Sequence, residues 1–184
     1  MYREFIPLQL ECLADYADPI PGVIELAAVL RRRGIKIGSS TGYNREMTEL
    51  LAREARQRGY EPDSWVSSTD VPAGRPYPWM IYENAVRLGA YPQEAIVKIG
   101  DTLPDIEEGL NAGTWTVGIT KTGNEVGLSA AEVAALPLET LKPKLAAIRK
   151  RMTQAGAHFV VDVQAECEAV IDEIDRRLAS GERP

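Results

Sequence analysis

Residues 22–120 alternate between two hydrophobic periods, and this alternation constrains the fold more than any other feature of the chain. Apolar positions recur at helical spacing in GVIELAAVLRRRG (22–34), REMTELLAREARQRG (45–59) and PWMIYENAVRLG (78–89), after an earlier stretch of the same kind over roughly 3–14. Between and after them stand short strand-like runs: IKIGSS (35–40), SWVSS (64–68), AIVKIG (95–100) and TWTVGIT (114–120). Helices and strands in turn, joined by short connections, predict an α/β fold with a mostly parallel sheet. Gly34, Gly59 and Gly89 stand where a left-handed glycine would stop each helix, and Pro78 suits a first helical turn. After residue 120 the order changes to a loop, GNEVGLS, then helical patterns near 129–135, 138–155 and 163–179, with a short strand expected in HFVVD (158–162). PIPG at 19–22 reads as a hinge between the first helix and the rest.

Composition narrows the function classes. The 184 residues carry 21 Lys and Arg against 27 Asp and Glu, a net charge of −6, which gives no basic footprint for nucleic acid. RRR at 31–33 and RKR at 149–151 fall inside helical patterns and read as solvated faces. Cys12 and Cys167 lack the neighbours of a redox or metal motif, so reduced thiols of a cytosolic protein are expected. His158 is the only histidine, which leaves little material for a His-based metal site or a Ser-His-Asp triad; it reads as a core or turn residue without a role. No run of 18 apolar residues exists, and MYREFIPLQLECL is too acidic and interrupted for a signal peptide. The expectation is a cytoplasmic chain without membrane or nucleic-acid partners.

In parallel α/β sheets ligands bind beyond the carboxyl ends of the strands. One strand ends in SSTGY (39–43), followed by Asn44 as a helix cap. These hydroxyls and free N–H groups suit an anion, or equally ordinary turn chemistry with an N-cap. A second strand ends in KIGDTLPD (98–105). Asp101 at the strand tip and Asp105 one helical turn later could hold a hard divalent cation. Thr102 and Asp105 also spell a capping box, with Pro104 in the first turn; that alternative accounts for Asp105 but not for Asp101. Between these strand ends lies DVPAGRPYPWM (70–80), with three prolines around a single cation, Arg75.

The order Ser/Thr strand end, basic residue before a helix, then GDxxxD resembles the haloacid dehalogenase-like hydrolases, most of which transfer phosphoryl groups. Within them, GIKIGSSTGYNREM, DVPAGRPYPWMIYENA, VKIGDTLPDIEEGLNAGTWTVG and GAHFVVD are similar to the phosphonoacetaldehyde hydrolase family, where arginine takes the basic position usually held by lysine. The likeness runs over nearly the whole chain. It implies a Rossmann-like parallel sheet, Mg²⁺ as cofactor and Asp101 as metal ligand with Asp105 in support. It also implies a phosphonate-binding set of Thr41, Gly42, Tyr43 and Arg75, with Thr41, Arg75 and Asp105 serving catalysis. Pro76 pushes Arg75 toward an extended backbone, and a guanidinium so held could fork two phosphonate oxygens.

The activity implied is cleavage of the carbon–phosphorus bond of phosphonoacetaldehyde to acetaldehyde and phosphate, with a cap-domain lysine forming an imine and an aspartate attacking phosphorus. Neither residue has a counterpart among the 184: the family's D-x-A-G-T motif is missing, and Lys36, Lys98, Lys121, Lys142, Lys144 and Lys150 do not fit the imine role. Residues 1–18 are therefore expected to be the last cap helix and hinge, and 19–184 an incomplete core lacking its central first strand. Such a C-terminal portion, whose longer relatives associate as homodimers, is expected to be inactive and poorly stable alone, with unpaired inner edges beside the strands ending at Ser40 and Gly100. Another phosphatase of the same superfamily and a non-catalytic remnant that binds phosphate or a protein are the alternatives.

Overall fold

The computed structural model describes residues 2–184; residue 1, the first position of the expected cap segment, lies outside them. Helices α1 (Tyr2–Leu13), α2 (Val23–Arg32), α3 (Arg45–Gln57), α4 (Trp79–Leu88) and α5 (Leu103–Asn111) alternate with strands β1 (Gly38–Thr41), β2 (Ser64–Ser67), β3 (Val97–Gly100) and β4 (Trp115–Ile119). Then follow α6 (Ala130–Ala135), α7 (Leu138–Gln154), β5 (Phe159–Val161) and α8 (Cys167–Ala179). The expected α/β fold is the one observed, and every strand pairing is parallel.

Helix and strand ends follow local chemistry. Gly34, Gly59 and Gly89 all take positive φ, and Gly89 is the left-handed C-cap of α4. Pro78 is the N-cap of α4, one position before the first turn expected for it. Strands β1 and β3 start later than their apolar runs. Ile35 N–H still bonds the α2 carbonyl of Leu30, and Gln93–Ala95 forms a 3₁₀ turn before β3.

The strands form two ladders, β1–β2 and β3–β4–β5. Among the described residues no ladder joins β1 to β3, and the break falls between the two strands that the resemblance sets on either side of a central one. Strand β4 is the buried axis of the larger sheet, all five residues inside, as a parallel strand covered on both faces should be. Its Trp115, Val117 and Ile119 pack with Leu26 and Leu30 of α2 and Ile171 and Ile174 of α8. A second core gathers Ile106 of α5 with Leu141, Ile148 and Met152 of α7. At Gly118 a Cβ would stand 2.6 Å from Met152 Sδ, so glycine leaves room for the thioether of α7 to pack on β4 in this position.

The two basic runs do more than line solvated faces. Arg33 reaches Asp172 and Asp175 at 2.9 and 2.8 Å, tying the end of α2 to α8. Arg149 pairs with Asp162 at 2.7 Å and donates to the Val160 carbonyl, tying α7 to the end of β5. Both cysteines are free; burial, with Glu166 nearby, pushes the Cys167 thiol up to about 11. No helix among the described residues is long and apolar enough to cross a membrane.

His158 enters β5 as a turn residue with its ring half-buried against Trp115, centroids 5.1 Å apart. Its Nδ1 accepts the Thr116 N–H at 3.1 Å, which requires the neutral ring. Burial, and then the nearby Arg177 cation, lower its pKa. A group that resists protonation when folded stabilises fully above its unfolded pKa of about 6.5, and loses that contribution as pH falls toward its lower folded value. Thermal unfolding should therefore shift down between pH 7 and pH 5. His158→Asn, whose carbonyl can accept the same N–H without titrating, should flatten that part of the profile; an unaltered slope would remove His158 from the account.

Candidate active site

The C-terminal end of β1 carries the hydroxyl-rich turn. Thr41 Oγ1 accepts the Tyr43 N–H at 3.2 Å, and Asn44 caps α3 by accepting the Met47 N–H at 3.0 Å. Ser68, just past β2, clasps the turn: its hydroxyl lies 2.9 Å from the Gly42 carbonyl and 3.0 Å from that of Tyr43, and its N–H bonds Tyr43 O at 3.1 Å. Both readings of SSTGY are thereby compatible. The turn bonds are made, yet the Thr41 hydroxyl accepts there and keeps its own proton to donate. A Cβ on Gly42 would meet nothing within 4 Å, so space rather than close packing surrounds it.

Arg75 occupies the centre of the arrangement. Asn111, at the end of α5, donates to the Pro76 carbonyl at 2.9 Å and holds the proline-rich loop against the helix. Arg75 Nε stands 2.8 Å from Asp105 Oδ1 and 3.0 Å from Glu108 Oε2. Its Nη2 donates to both the carbonyl and the hydroxyl of Ser40, each at 3.0 Å. The fork expected to close on a phosphonate is thus partly committed to protein acceptors. Among the described residues Nη1 is the guanidinium nitrogen without a protein partner.

Three neighbours of Arg75 were absent from the sequence-based site. Ser40 was noted only as a strand end. Lys98, considered from the sequence only for the imine role, lies within β3 with its side chain 9% exposed, Nζ 3.0 Å from Asp105 Oδ1, 2.7 Å from Glu108 Oε2 and 3.5 Å from Ser40 Oγ. Glu108 is wholly buried, and among the described residues its Oε1 has no partner. The signal that could have revealed Glu108 is its spacing: three residues after Asp105, it shares that residue's helix face. Gly109 permits the arrangement, because a Cβ there would meet the Lys98 stem at 3.0 Å and Thr116 Oγ1 at 2.8 Å.

Asp105 divides its oxygens. Oδ2 receives the Thr102 N–H and hydroxyl, at 3.2 and 2.6 Å, completing the expected capping box, while Oδ1 faces Lys98 and Arg75. The structural and functional readings of this residue therefore coexist. Burial opposes its ionisation, but the Lys98 and Arg75 charges and the Thr102 hydroxyl outweigh burial and hold its pKa below the ordinary value.

Asp101 stands just past the tip of β3, where Gly123 passes so close that a Cβ would lie 2.6 Å from Asp101 Cβ. One carboxylate oxygen accepts the Asn124 N–H at 2.7 Å. Among the described residues no three His, Cys, Asp or Glu side chains converge as a metal centre. Mg²⁺ commonly takes only one or two protein carboxylates, with water and substrate oxygens completing its shell, so Asp101 is a fitting donor in kind.

Comparison with known proteins places the fold in a family. The profile of the haloacid dehalogenase-like hydrolases matches residues 3–113. The chain belongs to the haloacid dehalogenase-like hydrolase family, whose parallel α/β fold it shares. Curated relatives within it are named for a particular activity. A phosphonoacetaldehyde hydrolase-like protein of Syntrophobacter fumaroxidans is 55% identical over 172 residues, 94% of this chain and 62% of the relative. A phosphonoacetaldehyde hydrolase of the same organism is 50% identical over all 184 residues, 66% of its own length. One from Bacillus cytotoxicus is 49% identical over 177 residues, covering 96% of this chain and 67% of the relative. The chain thus spans 62% and 66% of the two Syntrophobacter relatives. The crystal structure of a phosphonoacetaldehyde hydrolase like protein from Oleispira antarctica superposes with a TM-score of 0.96 at 42% identity, over 100% of this chain and 66% of that one.

Asp105→Asn should lower the urea-derived unfolding free energy at pH 7 by about 3–5 kcal/mol, the range for breaking a buried ion pair. Because the folded pKa of Asp105 is depressed, its contribution is present above its unfolded pKa of about 3.9 and disappears as pH falls below it. The variant should accordingly lose less stability than the parent on going to pH 2. A loss under about 1 kcal/mol at pH 7 would show that the pairing contributes little net stabilisation.

Proposed function

We propose that this chain carries the phosphonate-binding side of a phosphonoacetaldehyde hydrolase, an enzyme that cleaves the carbon–phosphorus bond of phosphonoacetaldehyde to acetaldehyde and phosphate. The observation that carries this reading is the seat of Arg75 in GRPYPWM. An arginine anchored at once to β1 and to α5 lies beside the Thr41 turn, at the strand ends where ligands bind in such folds. The roughly 50% identity to relatives bearing that name supports the same substrate.

In this reading Arg75 Nη1 and the Thr41 hydroxyl donate to phosphonate oxygens, the Gly42 N–H stands near the same group, and the Tyr43 N–H, bonded to Thr41 Oγ1, orients that hydroxyl. Asp105 holds Arg75 in place. Donors fixed in advance stabilise charge on the transferring group without reorganising during the reaction. Asp101 would hold Mg²⁺, which when bound neutralises further charge on the phosphonate.

An electron sink and a nucleophile complete the chemistry. The family supplies them as an imine-forming lysine and the aspartate of D-x-A-G-T, and the 184 residues hold no such motif. The chain by itself should therefore bind inorganic phosphate but release none from phosphonoacetaldehyde. The assay compares the 184-residue chain with the product of the same reading frame extended upstream. Turnover is expected only where an extension brings in D-x-A-G-T and a lysine-bearing cap. Arg75→Ala should weaken phosphate binding by about tenfold or more, the loss of one charge-assisted contact. Appreciable turnover by the 184 residues alone would overturn this division of roles.

A further inference from the structure

We propose that Lys98 and Glu108 are positioning residues for Arg75, with Lys98 supplying the charge that lets two carboxylates orient the arginine without cancelling its field. The inference rests on the reading that Arg75 meets a phosphoryl or phosphonate group. It starts from a closed figure of four atoms. Arg75 Nε and Lys98 Nζ each touch both Asp105 Oδ1 and Glu108 Oε2, at 2.8, 3.0, 3.0 and 2.7 Å. Ser40 Oγ lies within reach of both cations, at 3.0 Å from Arg75 Nη2 and 3.5 Å from Lys98 Nζ.

The charges decide what the figure does. Two carboxylates facing Arg75 alone would sum to −1 in a site largely closed to water, where screening is weak, and would repel an incoming anion. Lys98 returns the sum to zero. Arg75 is then gripped by a carboxylate pair at Nε and by Ser40 at Nη2, while Nη1 is left to donate with no net negative charge behind it.

Stability alone does not account for the arrangement. Buried ion networks are often no more stable than apolar packing of the same volume. Glu108 in addition leaves Oε1 without a partner among the described residues, a further loss. The oxygen of Glu108 that is satisfied is the one shared by both cations, so its bonds are spent on orienting them.

The test uses the full chain, with inorganic phosphate as ligand followed by ³¹P NMR, and hydrogen exchange at Arg75 Nε followed by ¹⁵N NMR. Lys98→Met should weaken phosphate binding by about tenfold or more. Adding Glu108→Gln to it removes one charge of each sign and should restore affinity to within about threefold of the parent, a compensation that a purely structural lysine would not show. Glu108→Gln alone should speed exchange at Arg75 Nε by about tenfold, as the carboxylate that accepts its N–H is weakened.

Unaltered affinity in Lys98→Met, or a folded double variant as weak as Lys98→Met, overturns the proposal. Should Lys98→Met fail to fold, Glu108→Gln must restore folding, and a double variant that stays unfolded overturns it equally. If the parent binds no phosphate while Glu108→Gln still frees Arg75 Nε, the functional reading falls and the positioning stands. If the parent binds phosphate and exchange at Nε is unmoved, the positioning falls and the functional reading stands.

Discussion

The ion cluster of Arg75, Lys98, Asp105 and Glu108 is the interaction on which the rest of the site depends, because it spans the break between the two sheets. No backbone ladder joins β1 to β3 among the described residues. Arg75 bonds the β1 carbonyl of Ser40 on one side and the α5 carboxylates on the other, while Lys98 reaches the same carboxylates from β3. A sheet edge with free carbonyls is a liability unless something covers it. Here a guanidinium caps one of them, and the same contact places the cation where strand ends gather. Structure and site are joined in one set of bonds.

Two ranges of order determined what could be read from the chain. Local order was legible. Hydrophobic period, glycine stops, the Asn44 cap and the Thr102–Asp105 box depend on residues within a turn of one another, and each took the expected form. Arg75 stood out through its prolines, again a local signal. Lys98 and Glu108 gave no such signal, since a lysine in a strand and a glutamate in a helix are ordinary until the elements pack. Their meaning arises only when α5 presses onto β3, which Gly109 allows by lacking a side chain at the contact. The same limit hid the roles of Arg33 and Arg149: charge runs on helices look solvated until the partner carboxylates on α8 and beside β5 come into view.

The larger sheet supplies the rigid side of the site. Strand β4 is buried throughout, with α2 and α8 packed on one face and α5 and α7 on the other, so the C-terminal end of β3 inherits a fixed position. Asp101 and Asp105 project from that end, one held by the Asn124 N–H and the other by its own helix cap. Strands β1 and β2 form a separate pair, and their site residues are placed by side-chain bonds, chiefly Ser68 to the Gly42 and Tyr43 carbonyls and Arg75 to Ser40. The two halves of the site therefore have different supports: a packed core for the carboxylates, a hydrogen-bonded clasp for the hydroxyl turn.

That difference explains why arginine rather than lysine suits position 75. An ammonium is a compact point charge that swings on a flexible stem, and beside Asp105 and Glu108 it would collapse toward the carboxylates, as Lys98 does. A guanidinium has three nitrogens fixed in one plane. Nε answers the carboxylates of α5, Nη2 answers Ser40 of β1, and the plane they define dictates where Nη1 must point. Two anchors on separate supports thus fix the direction of the third nitrogen. Lys98 then takes up the surplus negative charge without competing for that direction. An arginine in this site is less a source of charge than a rigid coupling between the two halves, and the lysine beside it is what leaves that coupling free to meet an anion.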